Sequence, residues 1–290
     1  MTGRTVTTPS ETGLLSEERR ADERRRRHRI AVYTLRAVVL VVLLGGWQLT
    51  TEAGIVDPFF FGQPTAIAGQ IGRWITEGTA SGPLWEQVAV TLEETVLGFA
   101  VGVVLGVVLG VVLGVNRTLA EVFGPYIRVA NSIPRIVLAP IFIIWLGLGL
   151  ESKVATAVVL VFFVVFFNAF QGVREVPRDL ISNARILGAD KRQLIANVIL
   201  PSALTWITAS LHTSFGFAIV GAVVGEFVGA TKGLGELIAV AKGTFNPNGV
   251  FAAMFILAIF ALTAESIMTA LERRLLNWRP SSLAEAGAGL

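Results

Sequence analysis

Cysteine is absent from the 290 residues, and the only histidines are His28 and His212. Without cysteine there is no disulfide, no thiolate nucleophile and no cysteine-held metal. No group of His, Asp and Glu falls at metal-ligand spacing. A phosphate-gripping glycine loop followed by Lys and Ser or Thr is missing as well. Nor is there a nucleophile–base constellation of the kind a membrane enzyme needs. Charge is scarce too: Asp, Glu, Lys and Arg make up 16% of the chain, against about a quarter in soluble domains. The net charge of +3 gives no reason to invoke nucleic acid.

Apolar residues are abundant, at 53%, with a mean hydropathy of +0.67. They gather in runs long enough to cross a bilayer, so the sequence describes an all-α polytopic membrane protein with six expected spans. These are Ile30–Thr50, Val88–Val115, Ile127–Leu146, Val154–Phe170, Ala203–Val228 and Val250–Leu271. Residues 1–29 are polar and basic and end in Arg24-Arg25-Arg26-Arg27-His28-Arg29. They read as a disordered cytoplasmic tail rather than a cleaved signal peptide, and the first span would serve as its own signal. The arginine run sets topology or binds anionic lipid. Residues 30–275 read as the transmembrane domain and 276–290 as a disordered tail. Between the first two spans, Ile67, Ile71, Trp74 and Ile75 predict a short amphipathic helix.

Glycines recur every fourth residue through the second span, at Gly98, Gly102, Gly106, Gly110 and Gly114. That small-residue ridge allows close backbone approach along one helix face. Glu93 and Glu94, near its outer end, read as interfacial rather than as substrate ligands. Asn116–Tyr126 reads as a short inner loop. Pro134 and Pro140 predict kinks in the third span. Thr231–Asn248 reads as a glycine-rich outer loop.

Counting Lys and Arg orients the chain. With the N-terminus inside, eighteen fall on inner segments and four outside, at Arg73, Lys153, Lys232 and Lys242. Both termini and the segment 177–201 are then expected in the cytoplasm.

That segment is a polar island between two apolar runs. Pro177 suits a first helical turn. Leu180, Ile181, Ala184 and Leu187 follow at helical spacing. Gly188 stands where a left-handed residue would stop the helix. Asp190 with Gln193 forms a capping-box pattern opening a second helix. The result is a helix, a glycine corner and a second helix leading to Pro201, a rigid bent element suited to transmitting force.

Ala184, Gly188, Leu200 and Pro201 keep the spacing of a known signature. It resembles the cytoplasmic loop of ABC-importer permeases: Glu-Ala-Ala, three residues, Gly, nine residues, Ile-x-Leu-Pro. Ser182 and Asn183 depart from it. Two more stretches resemble the nitrate/sulfonate/taurine group of these permeases. One is Ile133-Pro134 through Ala139-Pro140, Trp145, Gly147, Gly149 and Ser152-Lys153. The other is Glu226 followed by Gly233-Leu234-Gly235. The resemblance spans about residues 30 to 280. It implies a type I importer permease fold like that of the methionine importer. It also implies two permease copies in a bacterial cytoplasmic membrane, two ATPase subunits that bind ATP and Mg, and an external substrate-binding protein. The loop would be the coupling helix, with Ala184, Arg185, Gly188, Ala189, Asp190 and Lys191 meeting the ATPase. This chain would bind no cofactor, catalyse no covalent reaction and leave ATP hydrolysis to its partner. The implied solutes are small: sulfonates, taurine, nitrate, or vitamin and pyrimidine precursors.

Ionisable groups inside the membrane are costly and rarely face lipid. Glu226 lines a path or outer gate, or makes a packing contact. Arg135 meets an anionic solute or a carboxylate, or snorkels to the inner surface. His212 contacts solute or is satisfied by packing. Glu265 faces the bundle and pairs with a basic residue. An ion-gradient-driven transporter or channel is the alternative, although neither an inverted repeat nor a central acidic pair is evident.

Overall fold

The computed structural model describes residues 11–275, all helices and connecting turns with no strand among them. The chain forms two units, residues 1–66 and 67–290. In the first, α1 spans Glu11–Glu52. Residues 11–29 are therefore helical rather than a disordered tail. Glu, Arg, Ala and Leu dominate that stretch, and all are strong helix formers. Residues 1–10 and the expected tail 276–290 lie outside the described residues. Asp57 caps the short α2 (Pro58–Phe61) by accepting the Phe59 N–H at 2.8 Å. Helix α3 (Pro64–Thr76) is the expected amphipathic helix, and its Ile67 is buried.

The second unit is organised by α4 (Leu84–Val115). Helix α5 (Arg117–Ser132), capped by Asn116, follows at once, so the expected inner loop is helical. Pro134 then holds Ile133 extended and bends the chain by 86°. A 3-10 turn, Arg135–Leu138, leads into the short α6 (Ala139–Leu146). The expected third span is thus broken into two pieces, because Pro134 can neither continue α5 nor donate a hydrogen bond. Among the described residues, five helices are long and apolar enough to cross a membrane, or six if this bent pair counts as one.

Helix α7 (Leu150–Arg174) packs along the glycine ridge of α4. A Cβ at Gly102 would stand 2.7 Å from the Val161 Cβ, at Gly106 2.8 Å from Val165, and at Gly110 2.7 Å from Ala169. Both series ascend together, so α4 and α7 run parallel in a continuous seam. Gly221 and Gly225 in turn give Ala157 and Lys153 of α7 room against a second neighbour.

The hairpin that follows holds α8 (Arg178–Ile186) and α9 (Lys191–Leu194). A single π turn, Ile195–Ile199, connects α9 to α10 (Leu200–Gly229). Pro201 therefore lies inside a continuing helix rather than opening a new one. A proline ring clashes with the carbonyl four residues earlier, and a π turn is one way to relieve it. The glycine-rich outer segment is not all loop. It forms α11 (Leu234–Gly243), with Leu234 and Leu237 buried against Ala253 of α12 (Pro247–Leu275).

Candidate functional site

Three polar places stand out. The first is the α8–α9 hairpin. Gly188 has φ +86, and no atom lies within 4 Å of where a side chain would begin. Glycine is needed there for backbone conformation, not for space. The Gly188 N–H donates to the Arg185 carbonyl and the Ala189 N–H to the Ala184 carbonyl, each at 3.0 Å. These two bonds close a Schellman turn. Two residues on, the Asp190 carboxylate accepts the Gln193 N–H at 2.7 Å, and the Gln193 amide oxygen accepts the Asp190 N–H at 2.9 Å. Both sides of the corner are thus locked by local bonds. Leu194 and Ile199 anchor the hairpin on Ala169 and Val173 of α7, with Ile181 and Ala184 packed alongside. At the tip, Ile186 is 82% and Leu187 86% exposed. Arg185, Asp190 and Lys191 are exposed around them, while Ala184 and Ala189 are half-buried.

The second place joins the N-terminal ends of α4, α7 and α11 with the C-terminal end of α10. Glu226 is fully buried. Its Oε1 accepts from Thr91 Oγ1 at 2.6 Å and its Oε2 from the Gly235 N–H at 2.7 Å. The Leu234 N–H reaches Thr91 Oγ1 at 2.9 Å, and the Gly233 N–H reaches Gln87 Oε1 at 2.8 Å. Gly233 has φ +111, and a Cβ there would strike the Glu226 carboxyl. The Gly-Leu-Gly turn is therefore wrapped around one carboxylate. The Glu94 carboxyl meets that of Glu226, and the Lys153 ammonium acts on both. Lys153 also donates to the Leu148 carbonyl. Glu94 is thus buried within the protein rather than interfacial, and Lys153 lies in a helix interface rather than an outer loop.

Gln87, Thr91, Glu94 and Thr95 were legible in one respect. They continue the four-residue glycine stripe upward from Gly98, and a packed face that is glycine below must remain packed above.

The third place comprises the mid-depth groups. The Arg135 guanidinium lies 4.9 Å over the Phe163 ring and donates to Asn131. Phe163 sits about 20 Å from the N-terminal end of α7 at 1.5 Å per residue. That puts Arg135 at the broken helix, beside the middle of α7. The His212 Nε2 and Glu265 Oε1 stand 3.1 Å apart, linking α10 to α12. The expected basic partner of Glu265 is that histidine. Among the described residues no group of three His, Cys, Asp or Glu side chains could hold a metal.

The family of binding-protein-dependent transport system inner membrane components matches residues 102–277. The chain belongs to that family. It is 38% identical over 244 residues to a riboflavin transport system permease protein of Chloroflexus aurantiacus, covering 84% of this chain and 90% of that one. A putative aliphatic sulfonates transport permease of Bacillus subtilis is 31% identical over 240 residues, covering 83% and 86%. A formylaminopyrimidine transport permease of Halalkalibacterium halodurans is 30% identical, covering 85% and 95%. Among solved structures, the inward-facing methionine ABC transporter MetNI aligns with a TM-score of 0.53 at 23% identity, over 66% of this chain and 93% of that one. The fold is that of the methionine-importer permeases. The chain is the membrane permease of an ABC importer, a transport component that works with an ATPase and a substrate-binding protein. This decides against the ion-gradient alternative.

Proposed function

We propose that two copies of this chain form the membrane pathway of the importer. Two ATPase subunits, which bind ATP and Mg, would dock on the α8–α9 hairpins. A binding protein would deliver solute from outside, and both termini would lie in the cytoplasm. The observation that carries the coupling assignment is the hairpin tip. Ile186 and Leu187 are an apolar pair exposed to 82% and 86%, ringed by Arg185, Lys191 and Arg192, on a corner fixed by a Schellman turn and a capping box. An apolar centre with a charged rim is the anatomy of a protein interface. Ala184, Gly188, Ala189 and Asp190 hold its shape; Arg185 and Lys191 face the partner. The basic residues concentrated on the inner segments support the orientation. The solute belongs to the class for which the relatives are named, spanning sulfonates, taurine, riboflavin and a pyrimidine precursor. Arg135 and His212 act on the path. Glu226, enclosed by its own protomer, holds the outer ends of the helices that gate it.

Replacing Gly188 with valine tests the coupling role. A side chain in left-handed backbone costs about 1–2 kcal/mol, more when β-branched. Uptake and solute-stimulated ATP hydrolysis should fall together, by about tenfold, or the ATPase should be lost on purification. Solute affinity of the isolated binding protein should stay unchanged. Full transport with a stably bound ATPase would remove the hairpin from the coupling path.

A further inference from the structure

The His212–Glu265 pair lies within two helices apolar enough to cross a membrane and is not enclosed. Helix α10 runs Leu200–Gly229 and α12 runs Pro247–Leu275. His212 falls about 4 Å from the midpoint of α10, and Glu265 about 8 Å from the Ala270 end of the apolar span Pro247–Ala270, at 1.5 Å per residue. The pair's side chains nonetheless remain 38% and 59% exposed within the protomer. Ionisable side chains within membrane spans almost always face the bundle interior or a water-filled cavity rather than lipid. This face must border water, solute or the second copy. A cavity of about 210 Å³ opens beside it, walled by Phe215, Ile219, Ala261 and Met268 with Thr213 at its edge.

We propose that this cavity is a solute-contact site on the translocation path, and that Glu265 makes the path favour neutral, zwitterionic or cationic solutes over bare anions. The inference rests on the importer reading and narrows its solute class. A carboxylate in a low-dielectric passage repels an anion strongly and attracts a cation equally. The Glu265 carboxylate also offers hydrogen bonding to the polar edge of a small ring, against an apolar wall suited to the ring itself. Arg135 does not offset this charge locally, since it sits against Phe163 of α7 rather than in this cavity. On these grounds the heterocyclic end of the solute class fits the site better than sulfonate or nitrate.

The lack of native cysteine in this chain leaves labelling read on the separated permease band free of background. Thr213→Cys and Met268→Cys would each be introduced into the complete importer, with ATPase co-purification checked on the same sample. Labelling would use two methanethiosulfonate reagents, one carrying a trimethylammonium and one a sulfonate, at pH 8. Relative to a free thiol, the cationic reagent should react about tenfold faster than the anionic one, and Glu265→Gln should bring the two rates together. Two results would overturn the proposal. One is no labelling at either position, with or without ATP. The other is an anionic reagent that reacts as fast as the cationic one. Either result with the ATPase still bound sinks this site alone; loss of the ATPase from the unmodified chain would instead sink the importer reading.

Discussion

Gly106→Leu should leave a chain that inserts but does not assemble. A Cβ at Gly106 would already stand 2.8 Å from the Val165 Cβ and 3.0 Å from the Phe162 carbonyl oxygen. Leucine adds three more carbons to that space. Helix α4 would have to lift away from α7, and the seam formed with Gly98, Gly102, Gly110 and Gly114 cannot open at one point alone. Overpacking typically costs about 1–3 kcal/mol when a core can yield. Here backbone faces backbone, so the cost should lie at or above the upper end. Insertion should survive, because leucine is favourable in lipid. The measurement is the yield of monodisperse complex after detergent extraction. Leucine at the neighbouring exposed Val104 serves as the control. Gly106→Ala should give a smaller loss than leucine. A normal complex from Gly106→Leu would mean that α4 and α7 do not pack as described.

Glu226→Ala should loosen the end of the bundle where α10 meets α11. The substitution strips the acceptor from Thr91 and from the Gly235 N–H, and it leaves Glu94 and Lys153 buried without their shared neighbour. Removing one member of a buried charged cluster costs about 3–5 kcal/mol. Hydrogen exchange should rise by at least tenfold over residues 230–240, while the α8–α9 hairpin keeps its protection. Glu226→Gln should fall between the two, because its amide oxygen still serves one of the two donors and its NH₂ opposes the other. Unchanged exchange in Glu226→Ala would show that the Gly233–Gly235 turn is held by something other than this carboxylate.

The sequence disclosed these features unevenly, for physical reasons. Long apolar runs and the glycine period are local patterns, and the Gly188 corner is set by bonds within a few residues. Those readings match the helices and the turn found. The break after Ser132 was half legible: two prolines announced a disturbance, but not that the chain would turn by 86°. Helix α11 was hidden by its glycines, which make Thr231–Asn248 look like loop until Leu234 and Leu237 find a buried seat. The π turn before Pro201 carries no sequence signal beyond the proline itself. Glu94 and Lys153 were misplaced because each was judged by distance from a span end. Their burial follows from Glu94 sharing a face of α4 with Gly98 and from Lys153 of α7 packing against Gly225 of α10, a tertiary fact. The His212–Glu265 pairing joins residues of two different helices and could not be read from either alone.

Hydrolysis of ATP by the reconstituted complex tests the central claim most directly. The chain would be assembled in proteoliposomes with its ATPase and binding protein, and the ATPase rate measured with and without solute-loaded binding protein outside. If this chain carries motion between the outer pathway and the α8–α9 hairpin, loaded binding protein should raise the rate several-fold and solute should accumulate only with ATP. A rate indifferent to loaded binding protein, with uptake that follows an ion gradient instead, would contradict the account.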